Sequence, residues 1–589
     1  MFLITTADQH FWKTDEPILF LGEWCKLFSQ RHIWEKLDYE VLPYHWDDRE
    51  KLYQDYLYLD NLYKNVLIQL TTLLNQIHEV NHSVRYWRII IGPWLHWFIA
   101  IMYDRYESLR VAEESGNVTL TYVTDCTVER YTPNDYNEFV QLSTSDLYNY
   151  LLYSKIIVLK NQLPYKVTHI PNSNVNNTEE NCGIHVKQQM RASLKNVRSY
   201  IYTFWNKIIP EQMKETIFIR PYLPVLSQLL LQIKLRQVPT FYNLQYKMPN
   251  LANDPNLRKK IILDIGTNSF EKILSVMIPK HIPKSYIEEY KLINNNACKY
   301  FPKRPKVILT ANAHWSSEIF KFWAAHSVDK NTKYILLQHG GHYGTGLWSF
   351  ADEHEVMTSD VFYTWGWKNE DNSVTRPMPN GKLYKMKRIR PNKKGNILLV
   401  TMTLPRYSYW MYSVPVASSG VISYLKDQLK FIRHLSIEAQ KCLLIRLFRK
   451  DYDYDQEKWF KNEFPDIQCY LGNKSMYEQL KESRLFIGTY NATAYLETLS
   501  ANYPTVMFWN PDHWELNPSA KPFFNKLRNV GILHDTPESA AKMVNKIYDD
   551  PKSWWKQTKI QEVRERFCYQ YARTSKNWIN EWADELKKI

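Results

Sequence analysis

Short runs of apolar residues alternate along the chain with longer stretches in which apolar positions recur at helical spacing. Within residues 1–376 the runs are 2–5, 89–91, 120–123, 217–219, 307–309 and 334–337, and each ends at polar residues or glycine. Buried parallel strands give short continuous apolar runs, and the crossover helices between them are amphipathic. The pattern predicts an N-terminal α/β domain over residues 1–376, with helical insertions.

A second series of runs follows a Lys-, Pro- and Gly-rich segment at 377–395, which we interpret as a linker. These runs are 397–402, 443–447, 467–471, 485–488, 505–509 and 531–533, with helical patterns between and after them. They predict a C-terminal α/β domain over residues 396–589. Both domains are expected to be doubly wound and Rossmann-type, and ligands bind such sheets outside the carboxyl ends of the strands. The active site is therefore expected in a cleft between the domains.

Composition and charge restrict the class of protein. The 589 residues are 44% hydrophobic and 23% charged, which is typical of a folded globular protein. The net charge of +14 is spread along the chain, so it favours an anionic small substrate or an anionic membrane surface over nucleic acid. The seven cysteines show no disulfide or zinc spacing, and we find neither a signal peptide nor a membrane-spanning run. A cytoplasmic location is expected, with peripheral association at the inner face of the membrane as a further expectation.

A glycine-rich loop is the strongest local feature. Four of the 16 glycines lie in residues 338–346 (QHGGHYGTG), directly after an apolar run. Gly340 and Gly341 would let the backbone approach an anion, and His339 and His342 would bind phosphate or carboxylate oxygens or transfer protons. A tight turn with packed histidines is the alternative. The loop matches neither the P-loop nor the dinucleotide-binding fingerprint.

Other polar residues follow the predicted strands of the N-terminal domain. Asn312 and His314 follow the preceding strand, and neighbouring parallel strands would bring them beside His339 as ligand-binding residues. Glu23 follows the apolar residues 18–21 and Asp8 follows the first run, so either carboxylate is a candidate general base or nucleophile. Capping or ion pairing is the structural alternative, and Asp125 and Asp135 are lower-ranked candidates.

The predicted C-terminal domain carries a candidate nucleotide site. Residues 483–497 read as a strand, a hydroxyl-rich turn and a helix, and helix N-termini bind phosphate. The candidate binding residues here are Thr489, Asn491, Thr493 and Glu497, the last as a partner of ribose hydroxyls. Arg406 and Arg446 follow the first two strands of this domain and would neutralise phosphate. Asp451, Asp453 and Asp455 lack the pattern of a calcium loop and are interpreted as a solvated turn.

Several segments carry a resemblance to a known family. The start of the chain (FLITTADQHFW and FLGEWC), the QHGGHYGTG loop, WGW at 365–367 and GTYNATAYLETLSANYPTVMFW resemble bacterial transferases of surface-carbohydrate (O-antigen) biosynthesis over nearly the whole length. That family is distantly similar to capsule-type transferases of Kdo and related ulosonic acids, through residues 338–340 and 489–506. The resemblance implies a GT-B-like fold, in which the C-terminal domain binds a CMP-activated donor and the N-terminal domain binds the acceptor and supplies the catalytic carboxylate.

The sequence therefore predicts a glycosyltransferase that transfers a CMP-activated nonulosonic or Kdo-type acid to a glycan or lipid-linked glycan acceptor. No cofactor other than the nucleotide-sugar donor is expected, and no metal, because Arg, His and helix-terminal amides can stabilise the leaving phosphate. A nucleoside-diphosphate sugar as donor, or a non-catalytic glycan-binding scaffold, are the alternatives.

Overall fold

The computed structural model describes residues 1–126, 131–169, 202, 204–206, 208–244, 246–369, 373–408, 411–416 and 418–589. Three sheets, in which all strand pairs are parallel, are each surrounded by helices. The predicted α/β class with parallel sheets is confirmed. Residues 1–376 were predicted as one domain, and they contain two of the three sheets.

The first sheet has the strand order β3-β2-β1-β4-β5, which reverses beside β1 as in a doubly wound fold. Its strands are β1 (Phe2–Ile4), β2 (Ile18–Phe20), β3 (Tyr39–Val41), β4 (Leu120–Thr124) and β5 (Tyr165–Thr168). The helices of this part are α1 (Arg31–Trp34), α2 (Arg49–His78), α3 (Val84–Glu114), α4 (Tyr136–Leu142) and α5 (Asp146–Lys160).

The strand predicted at residues 89–91 is wrong, because these residues lie inside α3. Ser83 caps this helix by accepting a hydrogen bond from the Tyr86 amide, and Pro93 is accommodated within it. Residues 89–102 are all buried, since α3 packs against α2, α5 and helices of the second sheet. A helix buried on every side gives a continuous apolar run, which periodicity cannot distinguish from a strand.

The second sheet has the order β10-β9-β8-β7-β6, so its strands follow one another in chain order. They are β6 (Thr216–Ile219), β7 (Val307–Thr310), β8 (Lys333–Leu337), β9 (Val361–Thr364) and β10 (Thr375–Pro377). The helices are α6 (Val225–Lys234), α7 (Pro255–Arg258), α8 (Ser269–His281), α9 (Tyr290–Tyr300), α10 (Ala313–Ser316), α11 (Glu318–Val328), α12 (Phe350–Thr358) and α13 (Gly381–Met386). The predicted linker 377–395 thus contains α13.

The third sheet has the order β13-β12-β11-β14-β15-β16, which is the dinucleotide-fold order 3-2-1-4-5-6. Its strands are β11 (Asn396–Val400), β12 (Leu443–Arg446), β13 (Gln468–Tyr470), β14 (Ser483–Gly488), β15 (Thr505–Phe508) and β16 (Leu533–His534). The helices are α14 (Ser419–Arg433), α15 (Ile437–Lys441), α16 (Gln456–Glu463), α17 (Met476–Glu482), α18 (Thr493–Ser500), α19 (Lys521–Asn529), α20 (Pro537–Ile547), α21 (Pro551–Trp555), α22 (Thr558–Tyr571) and α23 (Trp578–Leu586).

The last helix of the chain, α23, returns to the second sheet. Its buried Trp578 and Trp582 belong to the same apolar cluster as Leu337 and Tyr363 of that sheet. The Trp582 indole also donates a 2.8 Å hydrogen bond to the carbonyl of Pro379. We call each sheet with its surrounding helices a unit and number it like its sheet. The C-terminal helix α23 therefore holds the second and third units together, in addition to the contacts between their loops. No helix among the described residues is both long and apolar enough to cross a bilayer.

Candidate functional site

The carboxyl edges of the second and third sheets meet. The glycine-rich loop follows β8, and the hydroxyl-rich turn follows β14. A Cβ atom on Gly341 would lie 2.3 Å from the Ala492 carbonyl oxygen and 2.6 Å from the Thr493 amide nitrogen, so only glycine permits this contact. The Asn491 amide also donates to the Thr345 hydroxyl at 3.4 Å. The structure therefore joins the two strongest sequence features, as expected of sheets that face across a cleft in a GT-B-like fold.

A histidine and a buried acid form the centre of this edge. The side chain of His339 is 24% exposed, and its Nδ1 lies 3.7 Å from Oε1 of Glu355, a residue of α12 with no exposed surface. Burial raises the pKa of Glu355 to about 7. Burial also lowers the pKa of His339, while Glu355 opposes that change. The Tyr343 hydroxyl bridges the pair, 3.2 Å from Nδ1 and 3.0 Å from the carboxylate. An accessible imidazole backed by a carboxylate can accept a proton from a substrate hydroxyl.

His314 reaches the same carboxylate from β7's side, as adjacent strands predict. Its Nε2 lies 3.1 Å from Glu355 Oε1, and the ring is 2% exposed. Burial lowers the pKa of His314 to about 3, so the ring is neutral and orients Glu355 instead of contacting ligand. Asn312 precedes α10 at the edge. Its buried Oδ1 has no hydrogen-bond partner within the described part of the chain, which leaves it available to a ligand.

His342 does not face an open cleft. Its partly buried ring packs beside Tyr412 and Trp514, and Nε2 lies 3.3 Å from the Ser413 carbonyl. Burial lowers the pKa of His342 to about 4. The ring lies at the boundary between the second and third units, and its expected contact with donor stays a prediction.

The turn after β14 is held mainly by its own polar side chains. Thr489 donates to the Val400 carbonyl at 2.7 Å and lies 2.6 Å from the Tyr424 hydroxyl. The Asn491 carbonyl oxygen accepts from the Tyr495 hydroxyl at 2.9 Å. Thr489 and Asn491 are buried and saturated, so they shape the turn. Thr493, half-buried at the first position of α18, is the member of this group that a ligand can reach.

Glu497 on α18 forms an ion pair that the sequence did not predict. Its Oε1 lies 3.1 Å from Nζ of Lys382, which comes from α13 in the expected linker. Burial alone would lower the pKa of Lys382, but Glu497 and Tyr222 together outweigh this effect and the pKa is raised. The ammonium also lies 4.3 Å from the centre of the Tyr222 ring. A carboxylate and a cation from the two facing units thus lie side by side.

The loop after β6, beside this ion pair, is conformationally strained. Arg220 and Tyr222 have φ angles of 44° and 59°, a region that side chains of this size rarely adopt. Each such residue costs about 1–3 kcal/mol, and strain of this kind clusters at ligand-binding sites. Arg220 donates from Nη1 to the Ser316 hydroxyl at 2.8 Å, which places its charge at the carboxyl edge of the second sheet.

The two predicted phosphate-binding arginines have protein partners. Arg406 is 4% exposed and binds Asp146 at 2.6 Å and the Trp24 carbonyl at 2.8 Å. It therefore joins the third unit to the first, and the phosphate role expected of it stays a prediction. Arg446 ends β12 and donates from Nη1 to the Lys474 carbonyl at 3.0 Å. Burial lowers the pKa of Arg446, and the nearby Glu497 and Tyr490 oppose this change.

The predicted catalytic carboxylates lie at the edge of the first sheet, not with His339. Glu23 forms an ion pair with Lys26 at 3.1 Å and lines a cavity of about 410 Å³ that Arg406 also lines. Asp8 caps a short 3-10 turn and lies 2.7 Å from His10 Nδ1. Their catalytic role stays a prediction, and among the described residues no hydrogen bond or ion pair links either acid to the glycine-rich loop. The lower-ranked Asp125 and Asp135 pair with His169 and cap α4, respectively.

Three residues of the site escaped the sequence analysis: Glu355, Tyr343 and Lys382. Glu355 and Lys382 lie on helices without a motif, and only the tertiary packing of α12 and α13 brings them to the edge. Tyr343 lies inside the glycine-rich loop, where its position offered a signal. Among the described residues, no three His, Cys, Asp or Glu side chains are grouped as ligands of a metal ion.

Comparison with known proteins gives one strong match, which is to a protein family. No curated protein matches. Solved structures with partial similarity include MurG of Acinetobacter baumannii (13% identity, 51% of this chain and 79% of that chain, TM-score 0.30). Others are a UDP-N-acetylglucosamine 2-epimerase described for Listeria monocytogenes (10%, 54% and 85%, TM-score 0.34) and WaaG, a glycosyltransferase involved in lipopolysaccharide biosynthesis (12%, 51% and 81%, TM-score 0.25). These TM-scores are low, and nothing about function follows from them. The family described as LIC12162 family transferase matches residues 1–586, so the chain belongs to this family of transferases.

Proposed function

We propose that this transferase is a glycosyltransferase whose reaction takes place between the second and third sheets. The observation that carries the proposal is the arrangement at their carboxyl edges. The partly exposed His339 with its buried partner Glu355 lies on one side. On the other side Glu497, in the middle of α18 of the third unit, forms an ion pair with Lys382. Doubly wound sheets bind ligands at such edges, and transfer to a hydroxyl needs both a base and a nucleotide site.

The donor would bind to the third sheet. The order of its strands reverses between β11 and β14, and this switch point lies beside the turn that leads into α18 with Thr493 and Glu497. Glu497 would accept hydrogen bonds from ribose hydroxyls, while Lys382 and Arg446 would face the phosphate. We propose a CMP-activated nonulosonic or Kdo-type acid as donor. Its carboxylate and phosphodiester are both anionic, which suits the basic side chains Arg220 and Lys382 at the facing edge.

The acceptor hydroxyl would lose its proton to His339. Its oxygen then bonds to the anomeric carbon of the donor, and the bond from that carbon to the nucleotide phosphate breaks with its electrons on the phosphate. Glu355 holds the imidazole in place and stabilises the positive charge that the ring gains. Lys382 stabilises the leaving phosphate. Glu23 and Asp8, at the edge of the first sheet, remain predicted catalytic alternatives.

Binding of nucleotides to the full chain tests the proposal. Thermal unfolding is measured with CMP, UDP and GDP, since a ligand of the folded state raises the melting temperature. We expect stabilisation by CMP, and its loss in Glu497→Gln. Glu482→Gln is the control, because Glu482 lies at the end of the neighbouring α17 and forms an exposed ion pair with Lys474. Stabilisation by UDP or GDP instead would indicate a nucleoside-diphosphate sugar, and no stabilisation by any of them would favour a glycan-binding scaffold.

A further inference from the structure

A second large cavity lies at the opposite edge of the third sheet. It has a volume of about 810 Å³. Its lining includes residues 387–393, which precede β11, Arg484 at the start of β14, and residues 501–504, which precede β15. Because the strands are parallel, these segments mark the amino edge of the sheet. The cavity is therefore separate from the candidate active site at the carboxyl edge.

The lining of this cavity is strongly cationic. The seven basic residues are Lys387, Arg390, Lys393, Arg484, Lys552, Lys556 and Arg564, against the two carboxylates of Asp549 and Asp550. Asp550 is committed to capping α21 through the Ser553 amide at 3.2 Å. Arg564 has an ion-pair partner outside the lining, Glu565, at 2.9 Å. For the other six, no carboxylate lies within ion-pair distance in the part of the chain that the structure describes. With the carboxylates of Asp549, Asp550 and Glu565 all counted, an excess of four positive charges remains.

Fixed guanidinium groups form the floor of the cavity. Arg484 donates to the Gly395 carbonyl at 2.6 Å and to the Tyr548 carbonyl at 3.3 Å. Arg564 is 7% exposed and donates to the Leu499 carbonyl at 3.1 Å. Carbonyl oxygens orient both groups, and the charge of Arg484 is not neutralised by them. The lysines are exposed at the rim, so a ligand would meet mobile ammonium groups first and fixed guanidinium groups deeper.

We propose that this cavity binds an anion with two linked phosphate groups, in addition to the function proposed for the carboxyl edge. Like charges held together without counterions favour binding of a polyanion, and guanidinium forks match phosphate oxygens in geometry. A single phosphate would satisfy only part of the charge in a space of this size. The diphosphate group could belong to a soluble compound or to the headgroup of a membrane lipid. The second source would also give the chain its expected attachment to a membrane surface.

Two binding measurements on the full chain test this proposal. Inorganic pyrophosphate is titrated by calorimetry, and sedimentation is measured with phosphatidylcholine vesicles with and without a polyprenyl diphosphate. The test variant is Lys552→Gln/Lys556→Gln at the rim. The control is Lys542→Gln/Lys546→Gln, which removes the same charge at the same spacing from α20, outside the cavity lining. We expect the test variant to weaken binding about tenfold or more, and the control less than about twofold.

The outcomes divide clearly. Tight pyrophosphate binding that the rim variant weakens selectively supports a site for a soluble diphosphate. Selective loss of binding to anionic vesicles, without pyrophosphate binding, supports a headgroup site. Equal losses in both variants would mean that only overall charge matters, and an absence of both kinds of binding would likewise overturn the proposal. A failure of nucleotide binding at Glu497 leaves these readouts unchanged, because the two sites lie at opposite edges of the sheet.

Discussion

A carboxyl group without exposed surface controls the imidazole at the candidate site. Glu355 accepts hydrogen bonds from Trp315 at 2.7 Å and Tyr343 at 3.0 Å, and its Oε2 atom has no hydrogen-bond partner among the described residues. Removing a charged carboxylate from water is costly, which is why its pKa is raised. A proton arriving on His339 would offset that cost. The two residues therefore act as one unit in which each changes the charge state of the other.

Replacement of His339 by alanine tests this unit in catalysis. We expect turnover of the donor identified by the nucleotide panel to fall about 10²- to 10⁴-fold, the usual contribution of a general base. The melting temperature should change little, because the side chain is partly exposed. His326→Ala is the control, since His326 is a half-buried histidine on α11 away from the loop. Full turnover in His339→Ala would move the base to Glu23 or Asp8.

The stability of Glu355→Gln should depend on pH differently from that of the wild type. Between the usual carboxyl pKa of 4.5 and the raised value of about 7, the unfolded chain releases this proton and the folded chain keeps it. Raising the pH across this window therefore destabilises the wild type, whereas glutamine carries no proton to release. We expect the variant to gain about 1–3 kcal/mol relative to the wild type from pH 4.5 to 7. Urea denaturation at several pH values measures this, and a constant difference would contradict the raised pKa.

At the scale of elements, the contact between the loop after β8 and the start of α18 requires a residue without a side chain, Gly341. Gly341→Ala would force the loop after β8 away from the start of α18, since its Cβ would lie 2.3 Å from the Ala492 carbonyl oxygen. We expect a loss of about 1–3 kcal/mol in stability, as for overpacked positions, together with weaker nucleotide binding. Denaturation and thermal shift measure the two effects.

Gly340→Ala is the matched control for this change. The nearest atom to its Cβ would be a ring carbon of Tyr343 at 3.3 Å, a contact that a small movement of the side chain relieves. Gly340→Ala should therefore be close to the wild type in both measurements. Similar effects of the two substitutions would show that the loop tolerates a Cβ at either position, and that the contact with α18 does not set the geometry of the site.

The sequence predicts elements well where each strand is short and bounded by turn residues. The third sheet is the clearest case, because every one of its strands overlaps a predicted apolar run, although β16 does so only at Leu533. The run at 89–91 failed because burial on all sides of α3 hides the helical period. At the site, adjacency of β7 and β8 brought His314 and His339 together as predicted. Glu355 and Lys382 could not be predicted, since their contacts depend on how helices pack across the edge.

At the scale of the whole molecule, side chains far apart in sequence fasten the first unit to the third. Arg49 of α2 forms a two-pronged ion pair with Glu515, with distances of 2.6 and 2.8 Å. Arg406 joins the loop after β11 to Asp146 at the start of α5. The resemblance predicted a transferase, and the matching family is described as a family of transferases. The sequence analysis predicted the first and second sheets as one domain. The first sheet forms an additional unit, which packs against the third unit through these ion pairs.

Replacement of Arg406 by methionine separates a structural role from a phosphate-binding one. The guanidinium is 4% exposed, and its loss leaves Asp146 with a charge that only the Tyr407 hydroxyl and the Ala7 amide then satisfy. Breaking a buried pair in this way costs about 3–5 kcal/mol, and the partial exposure of Asp146 favours the lower value. Arg433→Met, which removes an exposed pair with Glu463, should cost less than about 1 kcal/mol.

Urea denaturation measures both losses, and nucleotide affinity is measured on the folded protein. We expect Arg406→Met to unfold at lower urea while its nucleotide affinity stays within about twofold of the wild type, because its guanidinium is occupied by the first unit. Unchanged stability with a large loss of affinity would instead place the nucleotide phosphate at Arg406 and move the donor site toward the cavity beside Glu23.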